Sequence, residues 1–220
     1  MAAADKFKLV YFNARGRAER ARLMFLHSRT DFEDVRVDEE KEWTDYKKTH
    51  AHEIPMGQLP VLTFNDKHII CQSVAIARFV GQKLGYGAAN DLDAARMDML
   101  VEAFNNDLME AKVLPLMEAK VFLQDSKLEA KLRAEAESFA KPFLARYEEI
   151  LATSESGFLV GDKISWADFF IAEELDQLEH YDFYLPNQLE SFPKLKQFIR
   201  NVMNQPNLKE YIENRPETAY

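Results

Sequence analysis

Apolar positions in the first third of the chain form short β-type runs separated by a helical stripe. Residues 7–12 (FKLVYF) are rich in aromatic and β-branched side chains, which predicts a strand. Residues 17–27 space their apolar side chains three and four positions apart, which predicts a helix; Phe32, Val35 and Val37 then indicate a second strand. Because a strand, a helix and a strand in succession form a right-handed crossover, we expect the two strands to be parallel.

A hairpin and a second helix complete this α/β pattern. Residues 60–64 (PVLTF) and 67–70 (KHII) flank an Asn-Asp pair, which is typical of a tight turn between two strands. Residues 72–84 follow with helical spacing, and Ser73 is a candidate cap at the start of that helix. The predicted order is therefore βαβ followed by ββα.

Beyond residue 85 the pattern changes to long helical segments. Residues 85–93 hold two of the seven glycines and no periodicity, which indicates a linker. Pro115 should kink or end the first helix that follows. The predicted fold class is an α/β domain over residues 1–84 and an all-helical domain over residues 94–220. Its predicted helices cover residues 94–123, 126–151, 165–180 and 192–204.

Composition and charge exclude several classes of protein. The 220 residues are 47% apolar, which suits one or two globular domains, and no apolar run approaches the roughly 18 residues of a membrane span. Residues 1–80 are nearly neutral, with 13 Lys and Arg against 12 Asp and Glu, so the net charge of −9 comes from the rest of the chain and disfavours nucleic-acid binding. The single cysteine, Cys71, excludes an internal disulfide and a cysteine-based zinc site, and it favours a reducing, cytoplasmic location. The five histidines lack metal-ligand spacing, so no metal site is expected.

Three residues offer both a structural and a chemical interpretation. Tyr11 ends the first strand beside Arg15 and Arg17; most such tyrosines are packing residues, but a protonated phenol can also donate to a thiolate. Ser73 is either a helix cap alone or part of a carboxylate site at a helix start. Pro60 suits the first position of a strand, and its peptide bond is either trans or cis.

Four blocks of sequence carry a resemblance to a known family. They are residues 11–19 (YFNARGRAE), 57–62 (GQLPVL), 72–78 (QSVAIAR) and 161–169 (GDKISWADF). In order and spacing, they resemble the cytosolic glutathione S-transferases, and the sigma class in particular. The last block also has capping-box spacing between Ser165 and Asp168, for which a structural role is predicted.

The resemblance implies a thioredoxin-like first domain with a cis Leu59–Pro60 bond and an all-helical second domain. It implies glutathione as co-substrate with no other cofactor, and Tyr11 as the catalytic residue that stabilises the thiolate. A small apolar electrophile would bind in an apolar cleft between the domains, with Phe12, Leu108 and Tyr220 as candidate wall residues. The residues implied to bind glutathione are Tyr11, Arg17, Trp43, Lys47, Gly57, Gln58, Leu59, Gln72 and Ser73.

The resemblance also implies a homodimer, and it leaves the reaction open to peroxidase or prostaglandin-isomerase activity. Val113 stands where the related prostaglandin D synthases have tryptophan, which disfavours that specific activity. Either Asn106 or Asp107 stands where relatives place an aspartate that reaches glutathione across the dimer. The alternatives are a non-catalytic carrier of apolar or haem-like ligands and a crystallin-like structural protein. The dimer is further indicated by apolar residues spread around the long helix: Met97, Leu100, Val101, Phe104 and Leu108.

Overall fold

The computed structural model describes residues 4–182, 184–216 and 218, and the chain divides into two compact units. The first unit comprises the described residues of Met1–Gly85 and of Gln205–Tyr220, and the second those of Tyr86–Asn204. The sequence-based division differs, because it assigned everything beyond residue 93 to the second domain. The C-terminal segment belongs with the first unit because a helix over Pro206–Asn214 packs against a helix over Glu19–Ser28.

The first unit is built on a four-stranded sheet. Its strands are β1 (Phe7–Phe12), β2 (Glu33–Val37), β3 (Val61–Phe64) and β4 (His68–Cys71), in the order β2-β1-β3-β4. β1 and β2 are parallel, as predicted from the crossover, whereas β1 with β3 and β3 with β4 are antiparallel. This sheet with its flanking helices is a thioredoxin-like α/β arrangement, which confirms the predicted fold class.

The helices of the described residues follow the predicted order, with two additions: a short helix over Trp43–Thr49, a stretch that the sequence left open between helix and loop, and one near the C-terminus. Residues 206–214 form a helix that the sequence analysis did not predict, although Pro206 at its first turn and the spacing of Leu208, Tyr211 and Ile212 are helical signals. In chain order the helices are α1 (Glu19–Ser28), α2 (Trp43–Thr49), α3 (Ser73–Lys83), α4 (Asp91–Glu102), α5 (Leu114–Met117), α6 (Ser126–Thr153), α7 (Trp166–His180), α8 (Pro193–Met203) and α9 (Pro206–Asn214).

The second unit is helical, and its first long helix is interrupted by wider turns. α4 continues directly into π-helical turns over Ala103–Val113, and a second π-helical stretch, Glu118–Phe122, follows α5. Near the first transition the Tyr147 hydroxyl of α6 donates to the Leu100 carbonyl at 2.7 Å. Sequence periodicity assumes 3.6 residues per turn, so it predicted a helix over residues 94–123 that Pro115 would kink or end, whereas the structure alternates α-helical and π-helical segments, with a boundary between Val113 and Leu114.

The apolar residues that indicated a second exposed face of the long helix are all buried within the single chain. The expectation of an extra apolar face is therefore wrong in its detail, since the spacing of these residues (97, 100, 101, 104 and 108) places them on one side of the helix, which faces the core. The exposed apolar residues of α4 are instead Leu92 and Met99. Among the described residues, no helix has both the length and the apolar character needed to cross a bilayer. The residues that were expected to form the extra apolar face, and that are buried, are Met97, Leu100, Val101, Phe104 and Leu108.

The predicted capping box at the start of α7 is confirmed. Ser165 is the N-cap, and its side chain accepts the Asp168 backbone N–H at 3.4 Å, while the Asp168 carboxylate accepts the Ser165 N–H at 2.8 Å. The same carboxylate accepts the Ser165 hydroxyl at 2.6 Å and the Leu159 N–H at 2.8 Å. Burial raises the pKa of Asp168 to about 6, and these hydrogen bonds oppose the rise, so the carboxylate is an ionised acceptor at pH 7.

Asp168→Asn should destabilise the second unit. The amide keeps the size of the side chain but places an NH2 group among three donors, which leaves buried donors unpaired. We expect a loss of about 2–3 kcal/mol in the free energy of unfolding. Urea unfolding followed by the fluorescence of Trp166, which lies buried at the start of α7, measures it.

Asp125→Asn is the matched control for that substitution. Asp125 caps α6 through the N–H groups of Lys127 and Leu128, and asparagine caps helices equally well, so its stability should stay within about 0.5 kcal/mol of wild type. Equal losses for the two variants would contradict the role assigned to the buried carboxylate.

Candidate active site

Three chain segments meet at one end of the sheet. Val10 of β1 pairs with Val61 of β3, and Val61 pairs with Cys71 of β4. The residues that follow or precede these pairs are therefore neighbours: Tyr11 at the end of β1, Pro60 before β3, and Gln72 after β4. Although they are far apart in sequence, the register of the sheet brings all three candidate segments together.

Tyr11 is held by the turn that precedes α1. Its hydroxyl oxygen accepts the backbone N–H of Arg17 at 3.2 Å, and the residue is 7% exposed. Gly16 has φ +36°, and a Cβ there would lie 2.7 Å from the Tyr11 hydroxyl, so only glycine allows this approach. The Arg22 guanidinium lies 5.9 Å from the centre of the Tyr11 ring.

The Tyr11 phenol is a hydrogen-bond donor at neutral pH. Burial raises its pKa, while the Arg17 N–H and the charges of Arg17, Arg20 and Arg22 oppose that rise. Since the oxygen already accepts one N–H, the hydroxyl proton remains to be donated to an acceptor. The arrangement therefore suits the stabilisation of an anion, and it does not suit a phenolate base.

The segment before β3 offers a backbone edge. The Leu59–Pro60 peptide bond is cis, which confirms the expectation from the resemblance. The last pair between β1 and β3 is Val10 with Val61, so Leu59 lies just outside the ladder. Within the described part of the chain, the backbone N–H and C=O of Leu59 make no hydrogen bond. An extended peptide could pair with both groups.

The start of α3 offers an anion site rather than a side-chain cap. Ser73 is the first residue of the helix and is buried, whereas Gln72 stands at the N-cap with φ +73° and no side-chain capping bond. The prediction that Ser73 caps the helix is therefore wrong. A non-glycine residue at positive φ is uncommon and is often found at functional sites. The uncapped N–H groups and the Ser73 hydroxyl can receive a carboxylate.

An aromatic and basic cluster lies around α2. The Trp43 ring packs edge-on against Phe12, with centroids 5.3 Å apart, and Lys47 Nζ lies 5.5 Å from the Trp43 ring centre. Gly57 has φ +64°, and a Cβ built there would be 3.4 Å from Lys47 Cε, so the lysine side chain lies against this glycine. These contacts join four of the predicted residues into one group.

The remaining predicted residues differ in placement. Gln58 is exposed, and Arg17 is half-buried beside the Tyr11 hydroxyl. Phe12 lines a cavity of about 230 Å³, but three acidic residues (38–40) share its wall, so it is not purely apolar. Leu108 is fully buried in the second unit and presents no surface to a ligand. Tyr220 lies outside the described residues.

Three further features bear on the predicted chemistry. Asn106 donates to the Glu102 carboxylate at 2.9 Å and accepts from Asn105, also at 2.9 Å, so its side chain is engaged within its own helix. Cys71 is half-buried at the end of β4 and forms no disulfide with any described residue. No cluster of potential metal ligands occurs among residues 4–182, 184–216 and 218.

The sequence analysis missed the buried charges behind the Tyr11 turn. Glu19, Arg20 and Arg22 are each at most 1% exposed, although charged residues are almost never fully buried unless they are paired. The apolar spacing of residues 17–27 predicted a helix but did not indicate that any charged residue on it would be buried. The only available signal was the density of charges in residues 15–22.

Comparison with known families identifies the architecture. The N-terminal domain model of glutathione S-transferases matches residues 7–82, and the C-terminal domain model matches residues 115–215. Glutathione S-transferase 1 of Ascaris suum is 32% identical over 215 residues, which cover 98% of this chain and 99% of that protein. A solved structure, Na-GST-3 of the hookworm Necator americanus, is described as monomeric. It is 33% identical with a TM-score of 0.85, over 98% of this chain and 100% of the other.

Other similar structures belong to more than one class. A Nu-class enzyme of Haemonchus contortus is 31% identical with a TM-score of 0.76, over 99% of this chain and 100% of the other. Prostaglandin synthase D of Nilaparvata lugens is 28% identical with a TM-score of 0.81, over 96% and 100%. With two matching domain models and full-length relatives above 30% identity, this chain belongs to the glutathione S-transferase family.

Proposed function

We propose that this protein is a glutathione transferase in which Tyr11 donates a hydrogen bond to the glutathione thiolate. The observation that carries the proposal is the hydrogen bond from the Arg17 N–H to the Tyr11 oxygen. It leaves the phenol proton directed to another acceptor, and the family membership of the chain supplies a thiol as that acceptor.

In this proposal glutathione lies along the end of the sheet where Tyr11, Pro60 and Gln72 are neighbours. Each part of the tripeptide contacts a different segment of the chain. Its cysteinyl backbone pairs with the N–H and C=O of Leu59, and its γ-glutamyl carboxylate meets the start of α3 at Gln72 and Ser73. Its glycyl carboxylate meets the Lys47 ammonium and the Trp43 indole N–H. The polar groups of the segments described above suit this orientation, and Arg17, Gly57 and Gln58 complete the proposed site.

The proposed reaction is the conjugation of glutathione to an electrophile. A thiol with pKa near 8.5 is about 3% ionised at pH 7, and lowering that pKa by roughly 2 units makes most of it thiolate for about 2.7 kcal/mol of differential stabilisation. The thiolate sulfur then forms a bond to an electrophilic carbon. With an aryl halide the carbon–halogen bond breaks, halide leaves with the electron pair, and the thiol proton has already gone to solvent.

We extend the proposal to the class of glutathione S-transferase and to the type of electrophile that the protein accepts. A sigma-class assignment rests on the sequence blocks alone, and a Nu-class structure is 31% identical to this chain. The cavity that Phe12 lines is walled by three acidic residues (38–40) and Lys41, so its net negative charge disfavours anionic electrophiles. The small apolar electrophile is proposed from the family resemblance. The similarity to a prostaglandin synthase supports a prostaglandin-isomerase reaction as a second activity to assay, beside peroxidase activity.

Cytoplasmic location belongs to the proposal, and it rests on the single cysteine.

A homodimer is also part of the proposal. Leu92 and Met99 lie seven residues apart on one face of α4 and are 61% and 60% exposed, so a two-fold contact would bury them. The carrier and crystallin-like alternatives need no thiolate. Both are rejected if glutathione is turned over through Tyr11.

Tyr11→Phe should raise the pKa of the bound glutathione thiol by about 1–2 units, because it removes a charge-assisted hydrogen bond worth roughly 1.5–3 kcal/mol. The value of kcat/KM for an aryl halide should fall about 10–100-fold at a pH about one unit below the wild-type thiol pKa, while glutathione affinity changes little. Thiolate absorbance of the complex as a function of pH measures the first effect. An unchanged thiol pKa would mean that Tyr11 is a packing residue.

Lys47→Met should raise KM for glutathione about two- to fivefold and leave kcat at saturation unchanged, since an exposed charge pair contributes at most about 1 kcal/mol. Salt should raise KM for the wild type more than for the variant. Lys48→Met is the matched control, because Lys48 pairs with Asp45 at 3.5 Å and should leave KM unchanged. Equal effects of the two substitutions would argue against a specific glycyl contact.

Light scattering at micromolar concentration should give twice the chain mass of 25.5 kDa. Leu92→Asp combined with Met99→Asp should reduce the mass to that of one chain, because the contact would bury two carboxylates. Leu123→Asp, at another exposed apolar residue, is the control and should keep the dimer. A wild-type mass of one chain contradicts the proposed homodimer.

A further inference from the structure

A buried carboxylate behind the Tyr11 turn is shared between α1 and α9. Glu19 is fully buried, and its two oxygens accept the Tyr211 hydroxyl at 2.9 and 3.1 Å. Arg22 Nη1 lies 3.2 Å from the same carboxylate, and Arg215 Nη1 lies 3.7 Å from it. Tyr211 and Arg215 come from the C-terminal segment, so residues almost 200 positions apart satisfy one charge.

Arg22 links the Glu19 carboxylate to the turn that holds Tyr11. Its Nη1 also donates to the Ala14 carbonyl at 2.7 Å, and its Nε lies 3.1 Å from the Asp34 carboxylate. The turn itself runs from Ala14 through Gly16 to Arg17, whose N–H meets the Tyr11 hydroxyl. The position of the Arg22 guanidinium therefore fixes the carbonyl at one end of the turn and constrains the N–H at the other.

Glu19 can orient the Arg22 guanidinium only if hydrogen bonds fix the positions of the Glu19 carboxylate oxygens. A fully buried carboxylate needs hydrogen bonds as well as a counter-charge. The Tyr211 hydroxyl is an uncharged donor within hydrogen-bond distance of both Glu19 oxygens. Burial and the Glu19 charge raise the pKa of Tyr211, so this hydroxyl stays protonated and keeps donating. Arg36 Nη2 donates to the Tyr211 oxygen at 3.5 Å from the far side and completes the orientation of the hydroxyl.

We propose that Tyr211 is a positioning residue for thiol activation: through Glu19 and Arg22 it holds the turn that aims the Tyr11 hydroxyl. The proposal rests on the proposed function, since it assigns α9 to the same reaction. It makes the C-terminal helix a part of the machinery that sets the thiolate, rather than a segment that only packs on the first unit.

A purely structural role is the competing interpretation, and the same helix provides the control for it. Asn207 fastens the start of α9 to the end of α1: its Nδ2 donates to the His27 carbonyl at 2.9 Å, and its Oδ1 accepts from Arg29 at 2.8 Å. Neither contact reaches Glu19. Loss of the Asn207 bonds weakens the attachment of α9 without altering the groups around the buried carboxylate.

The experiment compares Tyr211→Phe with Asn207→Ala, both assayed at saturating glutathione, which adds stability to the folded state by mass action. Tyr211→Phe should raise the pKa of the bound thiol by about 0.5 unit, equivalent to about threefold less thiolate below that pKa, and lower kcat with an aryl halide to the same extent at a pH about one unit below the wild-type thiol pKa. KM for glutathione should stay unchanged. Asn207→Ala should lower Tm and leave the thiol pKa at the wild-type value.

Glu19→Asp is a second variant that keeps the charge but draws the carboxylate away from Tyr211 and Arg22; it should shift the thiol pKa in the same direction. If both Tyr211→Phe and Glu19→Asp leave the thiol pKa at the wild-type value, the proposal is overturned. It is also overturned if Asn207→Ala shifts the pKa as much as Tyr211→Phe does, since attachment of α9 alone then explains the effect.

The outcome is separable from a failure of the proposed function. If Tyr11→Phe shifts the thiol pKa and Tyr211→Phe does not, only the role of α9 fails. If the wild type neither binds nor conjugates glutathione, the proposed function itself fails, and Tyr211 then has no thiol to act on.

Discussion

The site depends on one hydrogen bond, from the backbone N–H of Arg17 to the oxygen of Tyr11. It fixes the phenol against a turn and leaves its proton for a ligand. The contact is possible because Gly16 has no Cβ, which would otherwise lie 2.7 Å from the hydroxyl. Burial of the ring keeps the phenol protonated. A donor that is shielded, protonated and fixed in direction loses little on meeting an anion, which is the general requirement for electrostatic stabilisation of a reacting group.

The sheet supplies the rest of the site through its register. Val10, Val61 and Cys71 pair in a row, and the groups just beyond them are a phenol, an unpaired backbone edge and an uncapped helix start. In the proposed complex, each group meets a different part of a tripeptide: a thiol, a peptide backbone and a carboxylate. Chemistry of this kind cannot be assigned to any one of the three segments, because each has an ordinary structural explanation when it is considered alone.

The parts that could be predicted from sequence are those fixed by short-range patterns. The β-strands, the hairpin and the Ser165–Asp168 capping box follow from spacing over a few residues, and all agree with the structure. Three features depend on distant contacts and escaped prediction. The placement of α9 depends on packing against α1, and the uncapped start of α3 depends on the positive φ of Gln72.

The third feature is the buried cluster of charges on α1. A charged residue is counted as polar in a periodicity argument, so the spacing of apolar residues gives no reason to expect Glu19 and Arg22 to be buried. Their burial becomes explicable only when Tyr211, 192 residues beyond Glu19, is seen to supply a hydrogen bond. The resemblance to a family singled out Tyr11, but the physical argument for a free hydroxyl proton comes from the three-dimensional turn, in which the Arg17 N–H meets the Tyr11 oxygen.

The central claim is that Tyr11 acts as a protonated donor to a thiolate. It is tested most directly by recording the absorbance bands of thiolate and of tyrosinate in the same pH titration of the wild-type complex with glutathione. The account predicts that the thiolate band appears with a midpoint well below 8.5, the ordinary pKa of a thiol, and that no tyrosinate band accompanies it. A tyrosinate band that rises in the same pH range would contradict the account, because Tyr11 would then be acting as a base.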